Sequence, residues 1–170
     1  GGVGKTSLAL RFCKGVFLEK YDPTVEDCFR QHITLNDSVH MLEIIDTAGT
    51  DQFAIMREMY IKSGKGFILV FSLIAPITLK EIPQYFDQIT SVKEDNNYPF
   101  VLLVGNKSDL SEIRAVTEEE AREVANQLHC PYIETSTKEN THVHDAFEQI
   151  VSMIHPQNPQ QIAAKSKPKL

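Results

Sequence analysis

The chain alternates between two hydrophobic periods. Leu8, Ala9, Phe12 and Cys13 share one helical face, with Arg11 and Lys14 off it. This predicts an amphipathic helix that follows a glycine-rich stretch and stops near Gly15. Residues 17–27 are polar and contain Pro23, which predicts a loop. Phe29 to Leu35 alternates with period two, Asn36-Asp37-Ser38 reads as a turn, and Val39 to Ile45 reads as a second strand. So tight a turn makes the two strands antiparallel.

Farther on, the pattern changes. Gly66 to Phe71 and Phe100 to Val104 are continuous apolar runs, as in strands buried on both faces of a parallel sheet. Residues 50–65 predict a loop and a short helix. Residues 76–94 predict one helix with Ile82, Tyr85, Phe86 and Ile89 on a single face and Pro83 near its first turn. Thr117 and Glu120 form a capping box that opens a helix running to about His129. Tyr132 to Glu134 is a short strand. Residues 142–154 form the last helix, with Val143, Ala146, Phe147, Ile150 and Ile154 inward. From His155 the periodicity stops, and Pro156, Pro159 and Pro168 among glutamines predict a flexible tail. The expected organisation is one domain over 1–154 and a tail over 155–170. Strands alternating with helices predict an α/β layered sheet, whose functional loops lie at the carboxyl ends of the strands.

Composition narrows the class. At 42% apolar and 24% charged, the 170 residues fit a soluble globular domain. Cys13, Cys28 and Cys130 are odd in number and far apart, which fits a reducing compartment and no disulfide framework. Net charge is −6; three of the 17 basic residues and none of the 23 acidic ones lie in 155–170, leaving the remainder at −9. An acidic body argues against nucleic acid as a partner. The three tail lysines suit either an anionic membrane surface or plain solvation. His142 and His144, two apart at a helix start, read as solvated residues rather than a metal pair.

The candidate chemistry sits in three loops. Gly1-Gly2-Val3-Gly4-Lys5-Thr6-Ser7 matches the second half of a phosphate-binding loop. Its glycines let backbone N–H groups surround phosphate oxygens, and the following helix adds its dipole. Lys5 can reach the outer phosphates as a point charge. The Thr6 hydroxyl suits magnesium, which takes oxygen ligands. A glycine-rich turn before an ordinary helix is the alternative. The pattern's first glycine would lie two residues before Gly1, so the chain is expected to be a fragment that starts inside its loop and lacks the preceding strand. The second loop, Asp46-Thr47-Ala48-Gly49, follows an apolar strand; the acid can hold magnesium through water, and Gly49 lets a backbone N–H approach a terminal phosphate.

The third loop, Asn106-Lys107-Ser108-Asp109, suits reading a base; a polar turn after a strand is the alternative. Guanine offers two adjacent donors, and one carboxylate, Asp109, can accept both. Adenine offers an acceptor there, a mismatch that costs several kcal/mol in a buried polar site, a selectivity of about 10⁴. Asn106 can bond the ring's other edge and tether neighbouring loops. The Lys107 stem can cover the ring face.

GGVGKTSL, YDPTVED, DTAGT, GNKSD and ETSTK stand in the order and spacing of the Ras-family small GTPases, which the chain resembles over residues 1–155. It is most similar to the Rap branch, through Glu19-Lys20-Tyr21-Asp22-Pro23-Thr24 and through Thr50, where Ras proper has glutamine. The resemblance implies a three-layer P-loop domain: a six-stranded, mostly parallel mixed sheet with helices on both faces, its central first strand ahead of Gly1. It implies that Gly1 to Ser7 cradle the phosphates of GTP or GDP and that Phe17 and Tyr21 border the nucleotide. Magnesium would be held by Thr6, Thr24 and Asp46. Gly49, Thr50 and Lys5 would serve hydrolysis, and Asn106, Lys107, Asp109, Ser136, Thr137 and Lys138 would form the base pocket. Exchange factors, activating proteins and effectors are the implied partners, effectors pairing with residues 21–29.

Three departures matter. Thr50 is too short to orient an attacking water as glutamine does, which implies slow unaided hydrolysis. Thr137 stands where the family usually has alanine and crowds the pocket. No cysteine follows Cys130, so the prenylation motif common in the family is absent; either the chain continues or it lacks the anchor. The expected location is cytoplasmic, on a membrane face if prenylated. Lacking a central strand, these 170 residues alone are expected to fold poorly and not to retain GTP. A nucleotide-dependent interaction module with little hydrolysis and a P-loop ATPase or kinase are the competing readings; Asp109 speaks against the last.

Overall fold

The computed structural model describes residues 2–19, 27–47, 54–93 and 99–156. Helix α1, Lys5–Lys14, begins after Gly4 in a left-handed conformation and ends at Gly15, also left-handed, whose N–H closes on the Arg11 carbonyl. Strands β1, Asp27–Leu35, and β2, Ser38–Asp46, pair antiparallel from Asp27↔Asp46 to Leu35↔Ser38. Each runs slightly beyond its expected span. Asn36 and Asp37 turn the hairpin with φ of 52° and 65°, the positive pair that a two-residue hairpin matching strand twist requires.

Helix α2, Ala54–Ser63, is followed by β3, Gly66–Ser72. The single helix expected over 76–94 is two: α3, Pro76–Lys80, and α4, Ile82–Val92. Each carries a proline within its first two positions. Pro83 lacks an N–H, and its ring crowds the carbonyl four residues back, so the chain restarts a helix there. Strand β4, Phe100–Asn106, precedes a short 3-10 turn and α5, Glu118–Gln127. The Thr117 hydroxyl accepts from Glu120 N–H at 3.1 Å, and the Glu120 carboxylate accepts from Thr117 N–H at 2.8 Å, completing the expected capping box. β5, Tyr132–Glu134, and α6, Val143–Ile154, close the domain.

Of the six-stranded sheet expected with its first strand ahead of Gly1, the described residues form the five remaining strands, but in two sheets, β1–β2 and a parallel β3–β4–β5, with no ladder from β2 to β3. Ladders need neighbouring backbones about 4.8 Å apart, and no described segment lies paired between β2 and β3 to bridge them. Packing joins the two sheets instead. Leu8, Ile33, Leu102, Val104, Phe147 and Ile150 share one buried cluster, so α1 and α6 cover one face of both sheets. Val101 and Leu103, pointing the other way, join Phe71, Ile82, Ala121 and Ala125 beneath α4 and α5. β4 is therefore buried on both faces, as its apolar run predicted, and the layering is helix, sheet, helix.

Glu134, ending β5, is held by a polar cluster. Arg114 donates two hydrogen bonds to its carboxylate, at 2.8 and 2.6 Å, and Tyr132 Oη donates a third at 2.9 Å. Burial pushes the Glu134 carboxyl up, but the Arg114 and Tyr132 hydrogen bonds outweigh it and hold the group below the usual glutamate range. A depressed carboxyl stabilises the fold above its unfolded-state value and loses that contribution as pH falls through its folded-state value. Relative to Glu134→Gln, the wild type is expected to gain about 1 kcal/mol at pH 7, since the pair is part-exposed. That margin should shrink in denaturant titrations below about pH 4; a pH-independent margin would exclude the ion pair as its source.

Candidate functional site

The site gathers at the carboxyl end of β4. Asn106, the last residue of that strand, is 1% exposed. Its Nδ2 donates to the Val3 carbonyl at 3.1 Å, and its Oδ1 accepts from Thr135 Oγ1 at 3.1 Å. One amide thus joins the glycine-rich loop, the loop after β4 and the loop after β5. It performs the tethering role expected of it. Gly4 answers to the same contact. Its φ is 99°, and a Cβ there would collide with Asn106 Nδ2, so both conformation and space demand glycine.

Beyond Gly4, the first-turn N–H groups of α1 have no acceptor within the helix. Gly2 also has positive φ, at 77°. Val3 is buried and anchors the loop, whereas Lys5, Thr6 and Ser7 are half-buried at the helix start. Thr6 Oγ1 donates to Asp46 Oδ2 at 2.5 Å, across 40 residues of sequence. Two of the three expected magnesium ligands therefore meet, and hydroxyl and carboxylate oxygens fit that hard cation. Burial pushes the Lys5 ammonium below the usual lysine range, Asp46 opposes the shift, and Arg57 reinforces it. A partly desolvated ammonium gains more from an incoming phosphate than a fully hydrated one.

The loops after β4 and β5 interlock. Lys107 takes φ of 70°, which turns the chain after Asn106. Ser108 N–H donates to the Thr135 carbonyl at 3.1 Å. Ser136 Oγ donates to Asp109 Oδ1 at 2.8 Å and accepts from Glu139 N–H at 3.0 Å. Ser136 and Thr137 are buried, while Lys138 is exposed. Reciprocal hydrogen bonds between Ser136 and Thr141, at 3.1 and 2.9 Å, close the loop. The carboxylate expected to read a base is thus oriented by a serine from the loop expected to complete its pocket.

Other expected residues divide. Phe17 lies half-buried after α1, with no contact that assigns it to a ligand. Gly1, Tyr21, Thr24, Gly49 and Thr50 lie outside the described residues, as does most of the stretch 21–29. Its last residues, 27–29, open β1, whose outer edge is unpaired among the described residues. His142 Nδ1 contacts the Glu134 carbonyl at 3.1 Å, and His144 pairs with Glu148 at 3.4 Å, so neither joins the site. A partly open cavity of about 120 Å³, lined by Phe86, Phe100, Val101, Leu128, His129 and Cys130 among others, lies by the start of β4, at the other end of the strand from Asn106.

Arg11 escaped the sequence reading, which placed it only off the apolar face. Its Nε donates to the Thr137 carbonyl at 2.7 Å and its Nη2 to the Lys138 carbonyl at 2.8 Å. Those partners lie 126 and 127 residues away, and no local pattern marks a pairing with distant backbone.

The loops at this end of β4 therefore combine a glycine cradle at a helix start, a hydroxyl–carboxylate pair suited to magnesium, and a serine-braced aspartate. A protein-family model described as "Ras: Ras family" matches residues 1–156. Spanning both the loops and the helices that position them, that match places the chain in the Ras family, the family of small GTPase switches.

Proposed function

We propose that this protein is a Rap-like guanine-nucleotide switch that binds GTP with magnesium and hydrolyses it slowly unless assisted. The observation that carries the reading is the buried Asn106 amide, bonded at once to Val3 and Thr135. It sets a phosphate cradle and a base-reading loop at a fixed separation, as a nucleotide's two ends require. An ionised carboxylate has about four acceptor positions. Ser136 takes one on Asp109, which orients the group and leaves capacity for guanine's two donors.

In the proposed reaction, water attacks the terminal phosphorus, and the bond to the bridging oxygen breaks to give GDP and phosphate. Lys5 offsets charge on the outer phosphates. Magnesium, when bound near Thr6, Thr24 and Asp46, spreads the charge that develops on the phosphate oxygens. Thr24 and Gly49 bond the terminal phosphate and release after its loss, which alters the effector surface at 21–29. Thr50 cannot position water as glutamine would, so hydrolysis waits on an activating protein.

Nucleotide extracted from the protein is expected to be GTP or GDP, with no displacement by equimolar ATP. Adenine nucleotide in its place would overturn the reading. Multiple-turnover phosphate release separates the switch from an interaction module that hardly hydrolyses GTP: a Rap-type activating protein should raise it strongly for the switch and leave it flat for the module.

Thr50→Gln should raise the intrinsic single-turnover rate by roughly tenfold, about 1.4 kcal/mol of barrier. An unchanged or lower rate would remove Thr50 from the mechanism. Thr137 is 4% exposed, so its extra bulk presses on packed neighbours rather than on solvent. Thr137→Ala should slow the release of a fluorescent GDP analogue, and equal off-rates would show that the pocket absorbs the β-branch.

A further inference from the structure

We propose that Arg11 is a positioning residue that clamps the base-pocket loop to the phosphate-binding helix and thereby slows nucleotide release. The proposal rests on the guanine-nucleotide reading above. Arg11 lies on α1, the helix whose first residues are Lys5 and Thr6. Its guanidinium collects three backbone carbonyls: Thr137 at 2.7 Å, Lys138 at 2.8 Å and Gly15 at 3.0 Å. The Gly15 bond ties the fork to the end of its own helix, so the fork itself is held in place. A planar fork with five donors suits convergent carbonyls; a lysine's point charge does not.

Peptide planarity makes this grip directional. In a trans peptide the C=O and the next residue's N–H point in opposite directions. Holding the Thr137 carbonyl toward α1 therefore aims the Lys138 N–H the other way. Holding the Lys138 carbonyl aims the Glu139 N–H, and that N–H donates to Ser136 Oγ, which donates to Asp109 Oδ1. An unbroken path of hydrogen bonds and one peptide unit thus runs from Arg11 to the base-reading carboxylate. Ladder contacts do not replace it. The loop is pinned at its ends, by Thr135 N–H to the Gly105 carbonyl and by the Ser136–Thr141 pair, whereas Arg11 alone among the described residues bonds the Thr137 and Lys138 carbonyls between them.

Release of a fluorescent GDP analogue from the protein tests the clamp. Arg11→Met is expected to release it roughly tenfold faster, since hydrogen bonds from a charged donor are lost, and Arg11→Lys should fall between the two. Amide hydrogen exchange at residues 136–141 should accelerate in both variants while β4 amides stay protected. Ser136→Ala interrupts the same path, so its off-rate effect and that of Arg11→Met should combine to less than their product. Ile89→Val, a core substitution under α4, serves as the control for lost stability and should leave release unchanged. Arg11 variants with wild-type off-rates and loop exchange would overturn the clamp while leaving the guanine-nucleotide reading intact. A wild-type protein that binds no guanine nucleotide would overturn both. Should Arg11→Met fail to fold, Arg11→Lys decides alone, because it keeps the charge and the aliphatic stem but loses the fork.

Discussion

The side chain of Asn106 is the contact on which the site depends. It is sealed from solvent, so each of its bonds replaces one that water can no longer make. Losing it would strand the Val3 carbonyl and the Thr135 hydroxyl, each at a desolvation cost of about 1–3 kcal/mol. An amide suits the position because it offers a donor and an acceptor a fixed distance apart, whereas a carboxylate offers only acceptors. The need for glycine at position 4 follows from the same contact, since the amide nitrogen fills the space a Cβ would take.

Around that contact the two sheets are joined by packed helices rather than by a ladder. β1–β2 contributes Asp46, and β3–β4–β5 contributes Asn106 and the loop after β5. What brings them together among the described residues is α1, which bears Thr6 bonded to Asp46 and Arg11 bonded to the Thr137 and Lys138 carbonyls. Buried Leu8 on the same helix packs into the cluster shared by both sheets. One ten-residue helix therefore carries the start that follows the glycine-rich loop, the hydroxyl bonded to Asp46 and the guanidinium that braces the loop after β5. A rigid element serving all three positions them more closely than separate loops could.

The polar networks differ in what they hold. Arg114, Glu134 and Tyr132 form a part-exposed cluster that braces β5 from the side. Ser136, Asp109 and Glu139 form a part-buried path that ties the loop after β4 to the loop after β5. The first responds to pH, since a carboxylate held below its usual range is its hub. The second governs geometry, since its hub is a hydroxyl that both donates and accepts. Every side-chain nitrogen and oxygen buried among the described residues has a partner, as a rigid polar site demands.

Much of this was legible in the sequence. The period-two hairpin, the doubly buried strand β4, the capping box at Thr117 and the apolar face of α6 follow from local spacing, because each depends on residues within a few positions of one another; β3, also expected to be buried on both faces, leaves Ile68 and Val70 half-buried. The glycine cradle and the loop carrying Asp109 were also readable, since their chemistry is written in consecutive residues. The break between α3 and α4 was half-legible: Pro83 announced it, but apolar periodicity ran through it. Tertiary structure alone decided how the strands divide into two sheets, that Asn106 spends its amide on Val3 and Thr135, and that Arg11 reaches the loop after β5. These pairings span from 29 to 127 residues. Sequence spacing carries no record of which distant carbonyl a long side chain will meet; packing of α1 against α6 and the sheets decides it.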